Sequence, residues 1–540
     1  MKFCCSRGDR LPGIAFRAWN FRPATVGVNP GRYCARPAQH GPYRHDEGSR
    51  SPLTLGRIPG FRRLLEPLLA LALIFAVMSA CWPLAKVQNF TAFDQPFYLG
   101  IAYDIGHYGR FTSGYVFDQG LPDAKRPSAM RFTPLYPTLL AGLATLDPPF
   151  SRAMSCLVHS RGKNPACPRD ARLPRLLQFL MLGLVYFLIR EIAQQVSGSR
   201  RTGWIALVLA LITAPELLGY VNYVMTEITA LTLAIAATAA SVRGLAKPRG
   251  AWWLALGGAL AGLAALTRPA FFYVFLVCAT AGFVIAIWRP TRAAGLRRAL
   301  AFAFAGALVI APWIIRNAIV LHDPRLTAGY GPDVLVQRVA FDEMSWAEYR
   351  LSFLCWLPDG NGMGSLLFGE GACHRFQWSD RPDNFYAIGN GPLKGEVAAA
   401  AGGWPHVVPY LLHVYILPHL LKFTMVTVSF ALRGAWVHRY WGLILAPICL
   451  FFTWRALLRR DALFLAASLP GWFLLLFSAA ISVNQTRYNL VLISPFTLSG
   501  AMATEALLRR RIAPRSAAAE NAGSDTASEN RPPMLQSRTN

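Results

Sequence analysis

The sequence predicts an all-α polytopic membrane protein, with about ten transmembrane helices, outer-face juxtamembrane helices and one large outer loop. Three observations carry that expectation. The chain has 540 residues, of which 54% are hydrophobic and only 15% charged; a soluble chain carries about 25% charged residues. Apolar runs recur along it, most of them near the roughly 17–25 residues that a helix needs to cross a hydrocarbon core. Basic residues gather in alternate connections between those runs, which is the positive-inside pattern.

The runs are Leu64–Ala85, Leu173–Ala193, Trp204–Leu218, Met225–Val242, Trp252–Leu266, Ala270–Trp288, Ala299–Ile319, Trp441–Leu457, Ala462–Ile481 and Leu490–Leu508. The third is short and needs its flanks to span. Basic clusters follow the even-numbered runs: Arg200 and Arg201; Arg243, Lys247 and Arg249; Arg289, Arg292, Arg297 and Arg298; Arg459 and Arg460; Arg509–Arg511. The formal charge of +26 is therefore mostly a topology signal, and no nucleic-acid partner is expected.

That topology puts the N-terminus in the cytoplasm and two long connections, residues 86–172 and 320–404, outside. A shorter outer connection is Pro215–Thr226. For the terminal arginines to return inside, Val407–Leu432 must not cross. It holds Pro409, His413, Pro418, His419 and Lys422, which suits an interfacial or re-entrant helix. Pro134–Leu146 is apolar but too short to span, and is expected to lie along the bilayer.

Three regions follow. Residues 1–60 are rich in Arg, Pro and Gly without apolar periodicity; they read as a basic disordered tail that touches anionic lipid, or as a translation start placed too far upstream. Residues 61–510 form the membrane domain. Residues 511–540 read as a disordered tail. Cys156 and Cys167 lie in the first outer loop, Cys355 and Cys373 in the large one; they are either two disulfides on the oxidising side or free thiols. Cys81, Cys278 and Cys449 lie in apolar runs and read as packing residues.

Several classes are excluded by what the sequence lacks. There is no Walker loop, no GxGxxG opening a nucleotide domain, no HExxH and no CxxC. An ATP-driven pump needs a phosphate-binding loop. An enzyme using a cytosolic nucleotide sugar needs a soluble domain, and none fits between these spans.

Polar residues with chemical potential gather at the outer ends of the runs. Asp94 follows the first span among aromatics, where a carboxylate can act as a general base. Tyr98, Asp104, His107 and Tyr108 follow it; in a helix, Asp104 and His107 share a face, and they are equally well ordinary loop residues. Arg131 precedes the Pro134 segment, placed for a lipid phosphate or for headgroup anchoring. Glu227 begins a span, where a charge is a functional hypothesis. Arg268, Arg316 and Arg487 oppose the positive-inside bias and suit phosphate or carboxylate partners, or headgroups. His374, His406, His413 and His419 have no metal-ligand spacing.

Together these fragments resemble the lipid-carrier-dependent glycosyltransferases of the GT-C superfamily, in particular the bacterial relatives of protein O-mannosyltransferases and of the lipid A aminoarabinose transferase (family 39 type). The matching pieces come in order. They are Asp94 to Tyr98, a helix around Gly109-Arg110-Phe111, and Pro134-Leu135-Tyr136-Pro137. Then come Pro215 with Thr226-Glu227, Gly258–Pro269, Pro312 to Asn317, and Arg487-Tyr488. The resemblance covers roughly residues 64–510. It implies a sugar donor on a polyprenyl phosphate and a lipid, glycan or protein acceptor. It also implies an integral protein of the cytoplasmic (inner) membrane, active on the periplasmic or extracellular face. It aligns Asp94 with the family's base or acceptor-organising aspartate and Arg131 with a residue on the lipid phosphate. Gln95 stands where the family often has Glu, and Ala129 and Met130 where several members have a second carboxylate. A metal site of that type is therefore not expected, and metal dependence stays open. The expected mechanism inverts the sugar. Asp94 handles the acceptor proton, Arg131, Arg487 and Arg316 steady the departing phosphate, and Tyr98, Asp104, His107, Glu227 and Tyr488 complete the substrate site. The rival class is a transporter or non-catalytic membrane protein, which would place polar residues near the bilayer midplane and broken helices in related positions of two halves.

Overall fold

The computed structural model describes residues 59–84, 89–118, 121–164, 166–288, 292–377 and 381–528. The expectations for residues 1–58 and 529–540 lie outside the described residues. The described elements are helices, in chain order α1 (Pro59–Cys81), α2 (Gln95–Tyr108), α3 (Leu135–Leu146), α4 (Pro148–His159), α5 (Arg172–Ser197), α6 (Arg200–Leu211), α7 (Ala214–Val221), α8 (Glu227–Ala246), α9 (Ala251–Thr267), α10 (Ala270–Trp288) and α11 (Arg292–Leu321). The large loop follows as α12 (Tyr330–Ala340), α13 (Trp346–Cys355), α14 (Gly360–Phe368), α15 (Phe385–Asn390) and α16 (Pro392–Ala400), and α17 (Val407–Leu411) opens the segment after it. The chain closes with α18 (Leu420–Ala435), α19 (Arg439–Arg459), α20 (Ala462–Ile481) and α21 (Ile493–Ser528).

Among the described residues, seven helices are long and apolar enough to cross a membrane, and up to nine if each bent pair counts as one span. The protein is an all-α polytopic membrane protein. The seven, together with the broken pair α6–α7 and the shorter apolar helices α1 and α9, occupy the ten runs read from the sequence. The short third run is not a straight span: α6 and α7 meet at 61°. Pro215 opens α7 and cannot donate into the preceding turn, so the helix breaks there. Val407–Leu432 is likewise bent, by 104° between Trp404–Ile416 and α18, with Pro418 in the break. The last helix runs on to Ser528, through part of the segment read as a tail.

One expected element is absent. No helix forms around Gly109-Arg110-Phe111. Gly109 takes φ +62, and its N–H donates to the carbonyl of Ile105; a left-handed residue at this position ends α2. Phe111 is then free to pack on Trp313 of α11, ring centroids 4.8 Å apart. Cys156–Cys167 and Cys355–Cys373 are both disulfides.

α9 packs between α8 and α11, and glycine lets it come close. A Cβ on Gly258 would lie 1.9 Å from the carbonyl oxygen of Phe302, and one on Gly262 2.8 Å from that of Gly306. Small residues four apart allow such backbone approach where apolar burial cannot drive helices together. The long connections are tied over one end of this bundle by backbone acceptors. Thr133 Oγ1 donates to Thr267 O at 2.9 Å, Trp313 Nε1 to Leu326 O at 2.8 Å, and Ala328 N to Met130 O at 3.0 Å.

Gly258→Ala is expected to destabilise the protein by about 1–3 kcal/mol through overpacking, seen as a lower melting temperature in detergent. Gly142→Ala, in α3 with nothing within 4 Å of the new Cβ, is expected to leave it unchanged or slightly raised.

Candidate functional site

Four chain segments bring charge to one end of the bundle. Asp94 is the residue before α2. It makes no capping bond with its side chain, and that side chain is 31% exposed. Glu227 is the first residue of α8, where the helix N-terminus favours a carboxylate, and its side chain is only 2% exposed. Arg268 caps the C-terminal end of α9. Arg487 lies in the short 3-10 segment Thr486–Leu492 that leads into α21.

Arg487 joins them. Its Nη2 is 3.3 Å from Asp94 Oδ2, and its Nη1 is 3.5 Å from Glu227 Oε1. Arg268 Nη1 reaches the same Glu227 oxygen at 3.4 Å. Glu227 Oε2 is buried without a hydrogen-bond partner. Tyr488 lies under both guanidinium groups, 5.0 Å from that of Arg268 and 5.3 Å from that of Arg487, a cation–π arrangement. Burial works against the charge on Arg268, yet Glu227 and the phenols of Tyr98 and Tyr488 outweigh it and hold the guanidinium above its usual range.

Local sequence explains the positions. Asn484 and Asn489 are fully buried. Asn484 Nδ2 donates to Phe430 O at 3.0 Å, and Asn489 Nδ2 to Asn484 Oδ1 at 2.7 Å and to Gln485 O at 3.1 Å. Gln485 Oε1 then accepts from Arg487 Nε at 2.8 Å, which aims the guanidinium. On the other side Gln95 anchors Asp94. Its Nε2 donates to the carbonyls of Asn89 and Ala92, at 2.9 and 3.0 Å, and its Oε1 accepts from Val224 N at 2.9 Å. A primary amide supplies the two donors and the acceptor that these three bonds need. Phe93, just before Asp94, has φ +55, a strained conformation for a bulky residue, and its ring lies 5.8 Å from the Arg487 guanidinium.

An aromatic wall closes the cluster. Tyr98 meets Phe132 and Tyr136 edge-on, at 5.7 and 5.5 Å. Burial, then the neighbouring Asp94, pushes its phenol far above the ordinary range. Tyr330 opens α12 of the large loop, and its phenol is raised by burial, then by Tyr488 and Asp94. Tyr330 also meets Phe132, ring centroids 5.8 Å apart, so the large loop joins this aromatic wall.

The other residues singled out in the sequence sit elsewhere. Asp104 is fully buried; it pairs with Arg126 at 2.6 Å and accepts from Thr112, which stitches the first outer loop. His107 is exposed and stacks on Tyr103 at 4.0 Å. Arg131 pairs with Asp333, which also takes Lys394 at 2.8 Å. The Arg131 guanidinium lies over Phe117, one aromatic layer from Tyr98 through Phe132. Arg316 donates to Ala129 O and Asn317 Oδ1, at 3.0 and 2.9 Å, and to Phe111 O at 3.4 Å; its cationic head fastens α11 to the outer loop instead of facing Asp94. Arg268 belongs beside Glu227, while Tyr330, Gln485 and the two asparagines carry no local sequence signal. Among the described residues, no three His, Cys, Asp or Glu side chains gather as metal ligands.

No protein-family model and no curated protein sequence matches the chain. Three solved structures are similar at low scores. The archaeal oligosaccharyltransferase AglB from Archaeoglobus fulgidus, in complex with an inhibitory peptide and a dolichol-phosphate, is 15% identical at a TM-score of 0.44, over 88% of this chain and 53% of that one. The Archaeoglobus fulgidus oligosaccharyltransferase in its apo form is 13% identical at 0.40, over 83% and 52%. ArnT from Cupriavidus metallidurans, bound to undecaprenyl phosphate, is 15% identical at 0.34, over 80% and 76%. The chain spans about half the length of the first two.

Gln95→Glu is expected to lower stability by at least ~2 kcal/mol, since it removes both side-chain donors and buries a carboxyl group. Thermal unfolding in detergent checks this against Gln95→Leu, which loses the Val224 bond as well as the two donors but buries no acid, and is expected to fall between wild type and Gln95→Glu.

Proposed function

We propose that the chain is a glycosyltransferase that moves a sugar from a polyprenyl-phosphate carrier to an acceptor at the outer face of the cytoplasmic membrane. The observation that supports this most is the cluster itself. One partly exposed carboxylate, Asp94, lies 3.3 Å from the half-buried Arg487 guanidinium, which shares Glu227 with a second half-buried guanidinium, Arg268, at the end of the bundle that carries the long loops. A transferase of this kind needs a group to take a proton and cations to receive a phosphate leaving group, side by side at a membrane surface.

The acceptor hydroxyl oxygen forms a bond to the anomeric carbon as the bond from that carbon to the carrier phosphate oxygen breaks. The electron pair leaves on the phosphate. The hydroxyl proton passes to the Asp94 carboxylate. Arg487 and Arg268 face the departing phosphate, and Glu227 sits between them. As the carrier phosphate draws the N–H groups of Arg487, it loosens their hold on Asp94 and frees that carboxylate for the proton. Such preorganised donors act where charge develops and are often the largest catalytic contribution. Glu227 positions the two cations. Tyr98, Tyr330 and Tyr488 shield the reacting atoms from water. Arg131 and Arg316 hold the covering loops. The loop of residues 320–404 chooses among lipid, glycan and protein acceptors. The residues offer no nucleotide-binding motif, and the charge sits at span ends, which weighs against a transporter.

Asp94→Asn is expected to lower sugar transfer by about 10²–10⁴-fold, and Arg487→Gln by about 10²–10³-fold. His107→Ala is expected to leave transfer within about twofold of wild type, because His107 makes only a local contact outside the cluster. The measurement is transfer of labelled sugar in membranes, normalised to the amount of folded protein. Unchanged transfer in a normally expressed Asp94→Asn protein would sink the assignment.

A further inference from the structure

A cavity of about 360 Å³ opens beside Gln485 and Thr486, the two residues before Arg487. That volume lies within the about 300–1,000 Å³ usual for small-molecule sites. Two tryptophans line it, Trp356 and Trp436, which are 9% and 3% exposed. Both carry a buried indole N–H with no hydrogen-bond partner, and so does Nη1 of Arg433, which lines the same cavity. Buried donors without partners are rare because each forfeits its hydration. Three of them around one cavity mark a place where a ligand supplies acceptor oxygens.

The rest of the lining decides what kind of oxygen. Arg433 and Arg439 face Glu216 and Asp359, so the formal charges cancel. Glu216 is paired with His438 Nδ1 at 3.1 Å, and Asp359 Oδ2 lies 3.4 Å from the Tyr440 hydroxyl. An anion gains no net field from such a lining and meets two carboxylates. A hydroxyl both donates and accepts, so it satisfies the indole and guanidinium donors and the carboxylate acceptors alike. Trp356 stacks on Phe430 at 4.7 Å and the Arg433 guanidinium lies over its ring at 5.2 Å, so the ring is already engaged and recognition goes through hydrogen bonds instead of ring stacking.

We propose that this cavity is a subsite for a neutral sugar ring. The cavity adjoins the charge cluster through Gln485, whose carbonyl holds Arg487 Nε. Whether that sugar is the one transferred or the one that receives it rests on the transferase reading; the binding itself does not.

The test uses the full chain in phosphatidylcholine nanodiscs, without turnover. Glucose, galactose, mannose and N-acetylglucosamine are titrated against thermal unfolding, with inorganic phosphate in parallel. At least one sugar is expected to stabilise the protein saturably. Trp436→Phe keeps an aromatic side chain but removes the indole N–H together with the pyrrole part of the ring, and is expected to weaken that binding by about fivefold or more. Arg433→Gln is expected to do the same, and His107→Ala, outside both this cavity and the charge cluster, to leave it within about twofold. Absence of saturable binding by every sugar, saturation by phosphate alone, or equal sugar binding in a folded Trp436→Phe protein would overturn the proposal. Because binding is read without transfer, a failure here differs from a failure of Asp94→Asn to affect transfer. The source of the ring is read by adding membrane lipid extract: a gain of mass on the bound sugar marks it as the acceptor, and inhibition that added lipid-linked donor relieves marks it as the transferred ring.

Discussion

The Arg487 guanidinium holds the site together. It reaches Asp94 on the first outer segment and Glu227 at the start of α8, and it is itself carried by the turn into α21. Segments far apart in sequence are thus held by one cation. Removing a partner from a buried charge pair costs more than the pair itself contributes, because the remaining charge stays desolvated. Arg268 shares Glu227 and spreads that dependence over a fourth segment. The unpartnered Glu227 oxygen shows that the cluster is not fully satisfied on its own.

The bundle sets the register that makes the cluster possible. Gly258 and Gly262 let α9 sit close against α11, which fixes the height at which Arg268 emerges. The Thr133 bond to Thr267 then ties the first outer loop to that same helix end. Arg316 spends its guanidinium on the carbonyls of Ala129 and Phe111, and the Trp313 bond to Leu326 holds the start of the large loop. The site is therefore a product of helix packing as much as of its own residues. A change in the bundle moves Arg268 relative to Glu227 without touching either side chain.

Much of this was legible in the sequence, and for physical reasons. Apolar runs and alternating basic clusters report hydration directly, so the helical membrane fold could be read from composition and position. Asp94, Glu227 and Arg487 were visible because a charge at the outer end of an apolar run is costly without a reason. Asp104 and Arg316 gave the same signal and met different partners; the sequence shows that a charge is present, not which neighbour claims it. Trp204–Leu218 was read as one short span helped by its flanks, and the bend before Pro215 went unread, while the end of α2 at Gly109 depended on a left-handed residue that a helix reading of Gly109-Arg110-Phe111 overlooked. Tyr330, Gln485, Asn484 and Asn489 were hidden because their roles are set by contacts across the fold. The donors of Trp356, Trp436 and Arg433 become notable only once the structure shows that nothing meets them.

The most direct measurement is a high-resolution structure of the full chain in nanodiscs with undecaprenyl phosphate. The account predicts phosphate density within hydrogen-bond distance of the Arg487 and Arg268 guanidinium groups, with Asp94 released from Arg487 and open to solvent. Phosphate held elsewhere, with the Asp94–Arg487–Glu227 contacts unchanged, would contradict it.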